Sequence, residues 1–147
     1  MRIALQQGLR PVRTCVRARR LRIVTSEGRP YARFRRALGG PSIAVIRSAA
    51  AELDRIELED GLAICLAFLE LEPETFPRAA TRWVARLALE RHLTLAESQL
   101  ALAALGTLDG PGARAGAEAL IEIGARHRLE RAEAIVSAWL ERKGLGD

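Results

Sequence analysis

From Tyr31 onward, apolar residues return every three or four positions, the spacing that lines them up on one side of an α-helix. Pro30, Tyr31, Phe34 and Leu38 open a short first helix, which Gly39-Gly40 stops. Pro41 introduces a second, marked by Ile43, Ile46, Ala49, Ala50 and Leu53. In the third, Leu58, Leu62, Cys65, Leu66 and Leu69 form a stripe, while Ala63, Ile64, Ala67 and Phe68 fill the other side. A helix that is apolar all round belongs at the centre of a fold. Glu57, Glu59 and Asp60 cluster at its start, where carboxylates interact well with the positive end of the helix dipole, and Pro73 marks its end.

A fourth helix is expected from about Glu74 or Pro77 to Arg91, with Ala80, Trp83, Val84 and Leu87 inward and Arg78, Arg82 and Arg86 on the opposite side. Thr94 and Glu97 have the spacing of a capping box and begin a fifth helix that runs through Leu105. After the turn at Asp109, Gly110 and Pro111, a sixth stripe runs through Ala113, Ala117, Leu120, Ile121 and Gly124, with Arg114, Glu118, Glu122 and Arg126 outside. The last helix, from about Leu129 to Lys143, buries Leu129, Ala132, Ile135, Val136, Trp139 and Leu140. The chain therefore reads as all-α, six to seven short helices in a single bundle, with solenoid-like stacking of helix pairs as the alternative. No sequence repeat supports a true solenoid.

Charge divides the chain differently. Residues 1 to 36 hold 11 arginines against one glutamate, a formal +10; the remainder holds 12 basic and 17 acidic side chains, a formal −5. Residues 1 to 30 read as a basic, disordered arm, with Leu21 to Thr25 as the one strand-like stretch, and residues 31 to 147 as the helical domain. Lys143 is the sole lysine, so the arginines reflect a GC-rich coding bias before any function.

The stretch from Arg33 to about Leu105 carries RFRRAL at 33–38, IRSAAAEL at 46–53, LEDGLAICLAFLELEPE at 58–74 and RAATRWVARLALE at 78–90. In these segments it resembles a family of small uncharacterised actinobacterial proteins. The resemblance implies an all-helical fold and a bacterial, cytoplasmic setting, and it brings no activity or catalytic residue. It also implies a start near Tyr31, so that residues 1–30 look like an extension or a misassigned start. An Arg-rich, acid-poor beginning has the formal look of an organellar transit peptide as well, although Pro11 and scattered apolar positions spoil its amphipathic face.

No catalytic constellation emerges, and the protein is read as a non-enzyme without cofactor or metal. Cys15 and Cys65 stand fifty residues apart with no metal-ligand spacing; Cys65, among Ala63, Ile64, Leu66 and Ala67, reads as a small buried hydrophobe. His92 and His127 each follow an arginine at a helix end, where an imidazole can meet the last carbonyls. No apolar run approaches the about 20 residues needed to span a bilayer, so no membrane partner is expected.

Two functional readings follow. The first is a helical protein-interaction module that binds an unknown protein or a second copy, with the ladder Arg78, Arg82 and Arg86 and the acidic 52–74 segment as its surface candidates, able to pair between copies; Glu74 and Glu90, four residues from Arg78 and Arg86, offer a purely structural role for the same ladder. The second is nucleic-acid association through Arg10, Arg13, Arg17, Arg19, Arg20, Arg22, Arg33, Arg35 and Arg36, non-specific because no aromatic residue interleaves before Tyr31. The arm has a rival partner within the chain: residues 52–74 hold eight acids against Arg55 alone, a formal −7. The 94–126 segment has helix-turn-helix layout, but its second helix offers Ala, Gly and glutamates rather than donors for base edges.

Overall fold

The computed structural model describes residues 28–146. Residues 1–27 of the arginine-rich arm, with its strand-like stretch at Leu21 to Thr25 and Cys15, lie outside the described residues, while its last three residues open the first helix. Seven helices follow in order: α1 (Gly28–Leu38), α2 (Ile43–Ala51), α3 (Leu58–Leu71), α4 (Phe76–Arg91), α5 (Leu95–Gly106), α6 (Ala113–Arg126) and α7 (Ala132–Arg142). The fold is all-α.

Helices α3 to α7 each pack on the next, and α7 returns to α3, so five helices close a ring. That closure decides between the two architectures, because a solenoid's units touch only their sequence neighbours. Inside the ring lies the main core, built on Leu62, Leu66, Leu87, Leu105, Leu120, Val136 and Trp139. The α1–α2 hairpin docks outside the ring on α3 and encloses a second core of Phe34, Ala37, Ile43, Ile46, Ala49 and Ala67. Phe68 packs against both cores, and the Arg47 guanidinium lies 5.2 Å from its ring centroid. Helix α3 thus touches α1, α2, α4 and α7, which is why nearly all of its circumference is apolar.

Small residues set the closest approaches. A methyl group added at Gly124 would lie 2.6 Å from the Cβ of Ala132, and one at Gly116 would lie 2.5 Å from the carbonyl oxygen of Ala104. Helix α6 therefore runs tightly against both α5 and α7.

Three helices end alike. After α4, α6 and α7, the residues His92, Arg128 and Gly144 adopt positive φ, and Leu93, Leu129 and Leu145 donate their N–H groups to the carbonyls of Ala88, Gly124 and Leu140. This is the Schellman closure, in which a left-handed residue returns the chain and an apolar residue follows it. The closure at Arg128 occupies residues 127–129, so α7 starts at Ala132 rather than near Leu129, although Leu129 is buried as expected. His92 and His127 are consequently not in equivalent places. His92 itself takes the left-handed position, whereas His127 sits one residue before Arg128 and turns its ring toward α5. At the other end of the domain, α1 begins at Gly28, two residues before Pro30.

Candidate protein-interaction surface

Helix α4 buries Phe76, Ala80, Trp83, Val84 and Leu87. At 3.6 residues per turn, the line directly opposite is Arg78, Arg82, Ala85 and Leu89, all exposed. Arg78 and Arg82 have no ion-pair partner among the described residues. Glu74 does not supply one at helical spacing, because α4 starts at Phe76 and Glu74 precedes its cap. Arg86 behaves differently from its two companions. Its Nε donates to Glu90 at 2.5 Å and its Nη2 to the carbonyl of Ile56 at 2.6 Å, fastening α4 to the chain that leads into α3. Of the three ladder residues, Arg78 and Arg82 face outward.

The neighbouring helix extends this face with a different chemistry. Helix α5 buries Ala101, Ala104 and Leu105, and its outward side carries Leu95, Ala96, Gln99, Leu100, Leu102, Ala103 and Gly106. None of these is charged. Leu95 is 76% exposed, Leu100 51% and Leu102 43%, and Leu89 at the end of α4 is 78% exposed. Isolated apolar residues on a surface are ordinary, but a whole uncharged helix side beside an exposed leucine of the next helix is not. By sequence α5 resembles α3, since Glu97 is its one charged residue; by position it is an outer helix of the ring.

The face is held firmly. Glu97 Oε2 accepts from the Thr94 N–H at 2.9 Å while the Glu97 N–H donates to Thr94 Oγ1 at 3.2 Å, completing the capping box foreseen from the sequence. Glu97 Oε1 meets His127 Nε2 at 3.1 Å at the end of α6. The backbone and hydroxyl of Thr94, followed by His127, stabilise the carboxylate and lower the Glu97 pKa from 4.5 to about 2.

The remaining predicted arginines are placed as follows. Arg33 pairs with Glu52 at 2.8 Å, Arg35 approaches Asp60 at 3.8 Å, and Arg36 donates to the Ala32 carbonyl at 3.4 Å. Arg10, Arg13, Arg17, Arg19, Arg20 and Arg22 lie outside the described residues. Five of the eight acids in the 52–74 segment, namely Glu52, Glu57, Asp60, Glu70 and Glu72, form ion pairs with arginines of the domain. That leaves Asp54, Glu59 and Glu74 without such pairs among the described residues, so much of the segment's negative charge is balanced locally.

Asp60 is the one buried charged residue among those described. Its Oδ1 accepts from Arg131 Nη1 at 2.9 Å and from the Tyr31 hydroxyl at 3.3 Å, and the same Arg131 nitrogen donates to the Tyr31 oxygen at 2.7 Å. The hydrogen bond to Asp60 raises the Arg131 pKa further. Each group in this cluster satisfies another, which makes it a joint between α1, α3 and the entry to α7. Among the described residues no group of three or more His, Cys, Asp or Glu side chains is arranged to hold a metal ion, and no helix is long and apolar enough to cross a membrane. Comparison with known protein families, curated proteins and solved structures finds no match.

Proposed function

We propose that this protein is a helical interaction module that binds another protein through the exposed face of α4 and α5. The observation that supports the reading is the composition of α5, a helix whose one charged residue is Glu97 and whose uncharged outward side leaves Leu95, Leu100 and Leu102 exposed. Burying one such leucine fully is worth about 1.5–3 kcal/mol, so a few of them at an interface supply appreciable binding energy. Arg78 and Arg82 border the apolar side and add direction to it.

Affinity capture with the full-length chain tests this reading when wild type is compared with a Leu95→Glu/Leu102→Glu variant of equal thermal stability. The expected result is a partner retained at fixed stoichiometry by wild type and lost from the variant. Capture of the same proteins in the same amounts by both would rule the face out.

A further inference from the structure

Resting on that reading, the arrangement of charge beside the apolar side narrows the kind of partner. Along α4 the outward line is Arg78, Arg82, Ala85, Leu89; along α5 it is Leu95, Gln99, Leu102, Gly106, with Ala96 and Ala103 next to it. The two helices follow each other through a three-residue connection and pack together, so the two lines run side by side in opposite directions. Each covers 11 residue steps, about 16 Å at 1.5 Å per residue. A line that carries two arginines in its first half and Ala85 and Leu89 in its second therefore lies next to an uncharged line over roughly three helical turns. Arg91 and His92, both exposed, close the end near Leu95.

No acid belongs to either line. The acid nearest their junction, Glu90, is taken by Arg86 and by Arg55, whose Nη2 lies 3.5 Å away. Two-fold pairing of this face with itself would set its arginines either against the arginines or against the uncharged line of the copy, in neither case against an acid of the two lines. A second copy is thus a poor occupant. We infer that the α4–α5 face receives an acidic amphipathic helix of a partner protein, its leucine-type residues seated over Leu89, Leu95 and Leu102 and its carboxylates against Arg78 and Arg82. Helix-in-groove recognition of this kind reads apolar anchors at three- and four-residue spacing, and the flanking charges set orientation and partner choice.

The test uses the full-length chain and a synthetic helical peptide of about 18 residues, long enough to cover the face with a turn to spare, carrying Leu at three- and four-residue intervals and Glu on both flanks. A second peptide replaces every Glu by Lys. Fluorescence polarisation is expected to show saturable binding of the Glu peptide, weakened at least about tenfold by Arg78→Glu/Arg82→Glu and by Leu95→Glu, and weakened by added salt. The Lys peptide is expected to bind at least about tenfold less well. The basic arm is identical in all variants, so electrostatic attachment to it persists as a background that these substitutions leave unchanged.

Equal binding of both peptides, or Glu-peptide binding that ignores the three arginine and leucine substitutions taken together, would overturn the inference. So would binding to anionic phospholipid vesicles without binding to the Glu peptide, which would assign the face to a membrane surface, and so would a dimer in sedimentation that Leu95→Glu dissolves. If affinity capture succeeds but the Glu peptide fails, the interaction reading stands and the acidic chemistry falls.

Discussion

Arg131 Nη1 lies 2.9 Å from the Oδ1 of Asp60, 71 residues earlier, and joins the entry of α7 to the first turn of α3. The Tyr31 hydroxyl completes the contact from α1, so one buried carboxylate ties together the hairpin, the centre and the last helix. Removing one partner of such a pair leaves the other charged and unsatisfied, a larger penalty than the pair's own net contribution.

Arg131→Ala is therefore expected to cost about 2–3 kcal/mol, somewhat below the range for fully buried pairs because Arg131 retains solvent contact. Urea unfolding followed by circular dichroism measures it. A loss below about 0.5 kcal/mol would mean that Arg35 and Tyr31 satisfy Asp60 unaided.

Glycine positions on α6 and α5 should respond in opposite directions. Gly116→Ala presses its methyl group on the Ala104 carbonyl and the Thr107 hydroxyl, backbone and packed side chain that cannot readily yield, at a cost of about 1–3 kcal/mol. Gly106→Ala meets nothing within 4 Å at the end of α5 and is expected to be neutral or to stabilise by up to about 1 kcal/mol through helix propensity. Equal destabilisation by both would show that close approach is not what selects Gly116.

Arg128 holds a left-handed conformation, φ 56°, that costs a residue with a side chain about 1–2 kcal/mol. Arg128→Gly removes that strain and adds unfolded-chain entropy, for a net gain of about 0.5–1 kcal/mol in thermal or chemical unfolding. A destabilised variant would mean that the Arg128 side chain makes a contact outweighing the strain.

Acid should expose the role of Glu97. Its carboxyl titrates near 4.5 when unperturbed and at about 2 in the fold, so over that interval the unfolded chain binds more protons. The stabilisation is complete above pH 4.5 and is lost as the pH falls toward 2. Melting temperatures of wild type and Glu97→Gln should differ most near neutral pH and converge in acid; a constant gap from pH 6 to pH 3 would contradict the assignment.

Burial pushes the Cys65 thiol up to about 12. At pH 8 it should resist alkylation in the native protein and react on unfolding, as read by peptide mapping at that residue.

Much of this fold was legible because the helices obey one pattern. The stripe of α4, the Thr94–Glu97 capping box and the all-round apolar α3 led directly to their observed places. The start of α7 was less visible, since Arg128 rather than glycine takes the left-handed turn and nothing in the residue type announces it. The joint at Asp60 was hidden for a different reason: its partners lie 29 and 71 residues away, and Asp60 read as a helix-start acid is locally sufficient. Of the candidate interaction face, Arg78 and Arg82 could be named from spacing, whereas Arg86 shared that spacing but turned to Ile56 and Glu90. The exposed leucines of α5 have no mark in the sequence, where only the Thr94–Glu97 box and the run to Leu105 stand out, and the closed ring alone shows that α5 has no further helix outside it among those described.

The most direct test is photo-crosslinking in cells from a benzoylphenylalanine placed at Leu95, with the same residue at exposed Glu118 on α6 as the control. The account predicts a single recurrent adduct from position 95, absent from position 118 and abolished by Arg78→Glu/Arg82→Glu. The same adducts from both positions, or none from position 95, would contradict it.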